Sequence, residues 1–273
     1  MFTEQSFDTD SLRINYAKST LNGPPMVVLH GIPNRWQGML QLMNPFEQTW
    51  QVFACDMRGH GKSGRASSYR AVDYSADIAA FVKYRVCAPV VLLGHSGGAM
   101  AALGAAAQLQ DLVRAVVLLD PPLAQALSSK WPKPTSDFMA GVCSIIEGKR
   151  TAEQVLKEAL PGISEAQMRW FADTFSCVDL GVVRTVLDGY LFENFDVQAQ
   201  LARLTCPVLM VHGDIDKGAL VRDSDVAFFL SRVPHGEVIQ IKDTGHYLHA
   251  QKPNEILAAL TNWFRLNRLN EAS

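Results

Sequence analysis

Residues Val90–Met100 read VVLLGHSGGAM. Four apolar residues, Val90 to Leu93, run into Gly94-His95-Ser96-Gly97-Gly98, and a small-residue stretch from Ala99 to Ala107 follows. The pattern predicts a buried strand, a sharp turn and a helix, with the turn carrying the G-x-S-x-G spacing of a nucleophile elbow. The central residue of such a turn holds a strained backbone conformation that lifts its side chain above the sheet. Glycine is needed two residues before and two after it, where a Cβ would clash. Ser96 is then offered at the head of a helix, where free N–H groups and the positive dipole end favour a developing negative charge. An ordinary serine in a tight strand–helix turn has the same local pattern, so the other chemical parts have to decide.

The 273 residues suffice for one large α/β domain with an insertion, or for two small domains. At 48% hydrophobic and 19% charged, the chain can fill a sizeable core. Net charge is −2 with no basic stripe, so neither nucleic acid nor an anionic membrane is an expected partner. No uninterrupted apolar run reaches transmembrane length. The opening MFTEQSFDTD is acidic and lacks an apolar stretch; no signal peptide is expected there, and a cytoplasmic location follows. Five scattered cysteines include no C-x-x-C pair, and reduced thiols are the expectation.

Along the chain, Thr3–Lys18 suggests an edge hairpin with Phe7 and Ile14 inward and a polar turn near Asp8–Ser11. Strands are expected at Met26–His30, Trp50–Asp56, Val90–Leu93 and Ala115–Asp120, with helices at Trp36–Phe46, Val72–Val86 and after the elbow. This alternation argues for a parallel sheet with right-handed crossovers. The rhythm stops at Pro121. Helical patterns then dominate at Ser136–Glu147, Ala152–Ala159, Ser164–Phe175 and Val182–Tyr190. Alternation resumes with Pro207–Gly213, Asp223–Ser231, Glu237–Lys242 and Asn254–Leu269. The expected organisation is a core of residues 1–120 and 203–273, interrupted after its sixth strand by a helical cap or lid over 121–202.

A serine hydroxyl is a weak nucleophile until a base removes its proton, and that base is usually a histidine held by a carboxylate. His246, in Asp243-Thr244-Gly245-His246 directly after the apolar run VIQI, sits where a strand-end loop would present it; His249 is its nearest rival. For the carboxylate, Asp214 and Asp216 follow the strand Pro207–Gly213, and Asp120 ends the neighbouring strand. An oxyanion needs two backbone donors: Gly97, just after the serine, and Ile32 in the loop His30-Gly31-Ile32-Pro33. His30 reads as a structural hydrogen-bonder rather than a second base.

Taken together, LHGIP (Leu29–Pro33), DMRGHGKSG (Asp56–Gly64), GHSGG (Gly94–Gly98), VHGDID (Val211–Asp216) and DTGH (Asp243–His246) run through almost the whole chain in a recognisable order. The chain resembles the α/β-hydrolase fold superfamily, in its cap-bearing serine hydrolase branch. The resemblance implies a mostly parallel, doubly wound central sheet. It assigns Ser96 as nucleophile, His246 as base, and Ile32 and Gly97 as oxyanion donors. It also selects Asp216 as acid, three residues after Gly213, with Asp120 as the alternative. The stretch after Asp216, Lys217-Gly218-Ala219, departs from the commoner acidic-proline continuation. Serine rather than aspartate at position 96 argues against the related epoxide hydrolases and haloalkane dehalogenases.

The implied activity is hydrolysis of an ester, lactone or related acyl bond of a medium-sized, largely apolar small molecule. Trp131, Phe138, Trp170 and Tyr190 of the helical segment are candidate substrate contacts, and Arg35 could reach a carboxylate. Competing readings on the same fold are a C–C bond hydrolase of a ring-cleavage product, a cofactor-free oxygenase or haloperoxidase, and a ligand receptor with a retained triad. No metal or organic cofactor is expected, since no phosphate loop, dinucleotide fingerprint or metal-ligand cluster occurs. A homodimer is compatible with the sequence, which does not fix the oligomeric state.

Overall fold

A computed structural model describes residues 1–10, 12–160 and 162–271. Eight strands form one sheet in the order β1-β2-β4-β3-β5-β6-β7-β8. They are β1 (Phe2–Asp8), β2 (Arg13–Ser19), β3 (Pro25–Leu29), β4 (Gln51–Cys55), β5 (Val90–His95), β6 (Val113–Leu119), β7 (Val208–His212) and β8 (Gly236–Gln240). The β1–β2 and β2–β4 pairs are antiparallel, and every pairing from β4 to β8 is parallel. Phe7 stands opposite Ile14 in the edge hairpin, and both turn inward onto one core, as the alternation predicts. The predicted turn of that hairpin includes Ser11, which lies outside the described residues.

The central strands read as continuous apolar runs because both faces are covered. Their residues alternate between two cores. Val27, Leu29, Leu92, Val116 and Met210 join helices α2 (Ala71–Phe81), α3 (Gly97–Leu109) and α10 (Asp223–Arg232) on one side. Met26, Val28, Val91, Leu93, Val117 and Leu209 join α1 (Leu40–Met43) and α12 (Pro253–Leu266) on the other. Where the sequence suggests one helix over Trp36–Phe46, the chain makes two 3₁₀ turns, Trp36–Met39 and Pro45–Gln48, around α1. Pro45 opens the second of these, since a proline cannot donate to a continuing helix. The amphipathic Val72–Val86 stretch is helical only to Phe81, after which it widens into a π-turn that ends at Cys87 with φ of 57°.

Between β6 and β7 the described residues form helices and no strand: α4 (Leu123–Ser128), α5 (Lys133–Ile146), α6 (Ala152–Ala159), α7 (Glu165–Ser176), α8 (Leu180–Leu187) and α9 (Val197–Ala202). Thr151 and Ser164 cap α6 and α7 by accepting from the backbone N–H groups of Gln154 and Gln167. The short helix α11 (Leu248–Gln251) follows β8.

The glycine loop before α2 is a structural hub. Buried Asp56 accepts from Asn15 Nδ2, Trp36 N–H and Lys62 N–H at 2.8, 2.8 and 3.0 Å. Arg58 forks onto Asp77 at 2.6 and 2.7 Å. His30 donates from Nδ1 to the Gly31 carbonyl and accepts the Met57 N–H at Nε2, which gives it the structural role expected of it.

The elbow depends on its glycines. A Cβ on Gly94 would lie 2.2 Å from the Gly98 carbonyl oxygen, and one on Gly98 would lie 2.3 Å from that of His30. Gly94→Ala is therefore expected to cost about 3 kcal/mol or more, because neither obstacle is a side chain that can swing away. Urea unfolding checks this; a midpoint equal to that of the parent protein would show that the elbow is not close-packed.

Candidate active site

Ser96 leaves the end of β5 with φ of 54° and ψ of −120°, a conformation that only a tightly held residue other than glycine keeps. Its N–H donates to the Leu119 carbonyl at 2.9 Å, which ties the elbow to β6. Gly97 is the first residue of α3, so its N–H has no acceptor within the helix. The β3 loop presses against this turn. A Cβ on Gly31 would lie 3.1 Å from the Ser96 Cβ, and one on Gly97 would lie 3.0 Å from the Ile32 side chain. Ile32, Ser96, Gly97 and His246 all border one cavity of about 860 Å³. The sheet edge thus brings together the serine, the histidine and both predicted oxyanion residues.

The carboxylate that meets His246 is Asp120. His246 Nδ1–H donates to Asp120 Oδ2 at 2.6 Å. Asp120 is fully buried just beyond β6, with φ of 43°. It also accepts the backbone N–H groups of Leu220 at 2.9 Å and Val221 at 3.3 Å. Three donors satisfy it without a cation, as a buried carboxylate requires. Asp216, the acid favoured by the family spacing, is not the partner of His246. It lies exposed in the 3₁₀ turn Ile215–Lys217. That turn carries residue 216 outward, and its continuation delivers the Leu220 and Val221 amides to Asp120. Asp214 is also committed elsewhere, accepting from Gln240 Nε2 at 2.8 Å and the Asp243 N–H at 2.6 Å.

These bonds fix the loop that carries His246. Asp214 N–H donates to the Thr244 carbonyl at 2.7 Å, and Gly245 N–H donates to Gln251 Oε1 at 2.8 Å. A Cβ on Gly245 would lie 2.1 Å from the Lys217 carbonyl oxygen, so the loops after β7 and β8 are in direct contact. His95, beside the serine in the elbow, donates from Nε2 to the His246 carbonyl at 2.8 Å. Its ring centroid lies 4.6 Å from that of His246 and 4.4 Å from that of His249. Sequence reasoning missed this imidazole and the two amides on Asp120. The first carries no pattern of its own, and the amides lie about a hundred residues away along the chain.

The helical segment supplies much of the remaining wall. Trp131 and Phe138 line the cavity, as do Met139, Leu160 and Leu191. Trp170 and Tyr190 are not among its lining residues. Trp170 stacks under the Arg35 guanidinium at 4.5 Å, and Tyr190 is 56% exposed. Arg35 also pairs with Asp173, so its charge is spent on joining the β3 loop to α7. No group of three or more His, Cys, Asp or Glu side chains suited to a metal ion occurs among the described residues. No described helix is long and apolar enough to cross a membrane.

Residues 26–260 match the model of the alpha/beta hydrolase family. The chain is similar to 2-(acetamidomethylene)succinate hydrolase of Mesorhizobium japonicum, with 28% identity over 93% of this chain and 94% of that protein. It is 25% identical to N-formylmaleamate deformylase of Pseudomonas putida over 88% of each chain. The crystal structure of an N-formylmaleamic acid deformylase variant from Pseudomonas putida S16 superposes with a TM-score of 0.81. It shares 21% identity and covers 94% of this chain and all of that one, a likeness of fold.

Three buried histidines make stability depend on pH. Burial pushes His60 and His95 well below the ordinary imidazole value, and it pushes His249 down to about 3. All three stay neutral in the folded chain and take up protons on unfolding below about pH 6.5. The unfolded state then binds more protons, so stability falls as pH falls from 6.5, by up to about 1.4 kcal/mol per pH unit for each histidine. Urea midpoints measured from pH 7 to pH 5 should decline steeply, and a flat profile would contradict this account.

Proposed function

This chain belongs to the alpha/beta hydrolase family and is an enzyme of that family, and on that premise we propose that it hydrolyses an acyl bond, ester or amide, of a small molecule through an acyl-enzyme on Ser96. The observation that carries the reading is the Asp120–His246 hydrogen bond of 2.6 Å beside the same cavity that Ser96 borders.

In this reading His246 Nε2 takes the proton of Ser96 Oγ as the oxygen attacks the carbonyl carbon. Asp120 accepts from Nδ1–H, which fixes the tautomer and steadies the imidazolium that forms. The tetrahedral oxyanion is met by the N–H groups of Gly97 and Ile32. His246 then returns the proton to the leaving alcohol or amine. Water, deprotonated by the same imidazole, attacks the ester on Ser96 and frees the acid and the serine.

Residues 121–202 act as a cap over this site, with Trp131 and Phe138 against the substrate and the apolar wall excluding water. The names of two relatives, a 2-(acetamidomethylene)succinate hydrolase and an N-formylmaleamate deformylase, each describe an N-acyl compound that bears a carboxylate. They favour an amide over a simple ester and a polyfunctional acid over a purely apolar substrate. Serine at position 96 favours acyl transfer over the alkyl-ester chemistry of epoxide hydrolases.

A fluorophosphonate probe should label the protein once, on the peptide that contains Ser96, and Ser96→Ala should not be labelled. A tag elsewhere, or none on the folded protein, would overturn the mechanism. Asp120→Asn should lower kcat on an activated ester by about 10²- to 10⁴-fold, because the amide favours the wrong imidazole tautomer. Asp216→Asn should stay within about twofold, since exposed carboxylates away from the reacting atoms contribute little. The reverse order would return the acid's role to Asp216.

A further inference from the structure

Of the charged residues that border the cavity, one cation has no ion-pair partner among the described residues. Four formally charged residues border the cavity: Asp137, Arg150, Glu158 and Lys217. Asp137 is held by Lys133 at 2.7 and 2.8 Å, and Glu158 by Arg150 at 2.5 Å. Lys217 meets no carboxylate within ion-pair distance among the described residues. Trp131 lines the same cavity, but its Nε1–H is sealed from it and meets no acceptor. Gln251, the most evident uncharged acceptor on the wall, already receives the Gly245 N–H through Oε1.

Lys217 sits on a firmly placed piece of backbone. Its N–H donates to the Asp214 carbonyl at 3.0 Å, and its own carbonyl abuts Gly245, next to His246. Three and four residues later come the amides that hold Asp120. The ammonium is therefore tethered to the same loop that supports the acid, at the rim of the cavity that Ser96 borders. An ammonium is a point charge on a flexible stem, suited to a carboxylate that enters from solvent and differing in position from one substrate to another.

We propose that this cavity holds an anion-recognition subsite, in which Lys217 pairs with a carboxylate on the substrate, remote from the bond that is cleaved. This rests on the reading of Ser96 as the acylated serine, and it adds that the preferred substrates carry a negative charge.

The test compares two activated esters of equal chain length, p-nitrophenyl hexanoate and mono-p-nitrophenyl adipate, which differ by one terminal carboxylate. The parent protein should prefer the adipate ester in kcat/KM by about fivefold, chiefly through KM, the upper end of what a single exposed ion pair contributes. Lys217→Met should abolish that preference, and Lys217→Arg should keep most of it. Equal cleavage of the two esters by the parent protein, or an unchanged ratio in Lys217→Met, would overturn the subsite. Should neither ester be cleaved and Ser96 take no fluorophosphonate, the hydrolytic reading fails; the subsite is then judged by calorimetric binding of adipate. Adipate should bind the parent protein and not Lys217→Met, and equal binding to both would overturn the proposal.

Discussion

The hydrogen bond between His246 Nδ1 and Asp120 Oδ2 is the contact on which the rest of the site depends. It joins the loop after β8 to the end of β6 across the strand that lies between them. It works only because Asp120 is fully buried and has two backbone donors besides the imidazole. A carboxylate in that position without those amides would be expensive to ionise. The residues that supply them, Leu220 and Val221, come from the loop after β7, so three strand ends converge on one side chain. The order of the parallel strands makes that convergence possible, because β6, β7 and β8 are neighbours in the sheet.

The same economy holds around Ser96. The glycines of the elbow let α3 and the β3 loop approach the serine until backbone meets backbone. His95 then reaches from the elbow to the carbonyl of His246, so the turn that carries Ser96 also steadies the loop of His246. Hydrogen bonds from the Asp243 and Gly245 amides to Asp214 and Gln251 complete the support of the β8 loop. Arg35 links the β3 loop, which carries Ile32, to helix α7 of the helical segment through Asp173 and Trp170.

Much of this was legible before any coordinates. Strand–helix alternation and the long apolar runs dictate a parallel sheet covered on both faces, and the two cores sort the strand residues by parity. Ser96 and His246 were legible because each stands at a strand end with glycine beside it, where a functional side chain needs close backbone approach. The acid was not. Spacing offers Asp214 and Asp216, with Asp120 as a lesser third candidate, and the family pattern selects Asp216, which the structure leaves apart from His246. What separates them is which carboxylate finds amide donors in the folded chain, and those lie about a hundred residues from Asp120. Trp170 and Tyr190 show a similar limit. Helical periodicity marks them as large apolar residues of the inserted segment, yet one stacks on Arg35 and the other faces solvent.

The central claim is that Asp120, and not Asp216, holds the imidazole. The most direct measurement is the proton NMR signal of the His246 Nδ1–H, which a short bond to a buried carboxylate moves far downfield. The account predicts a downfield resonance in the parent protein that survives Asp216→Asn and disappears in Asp120→Asn while the fold is retained. A resonance that survives Asp120→Asn and is lost in Asp216→Asn would contradict it.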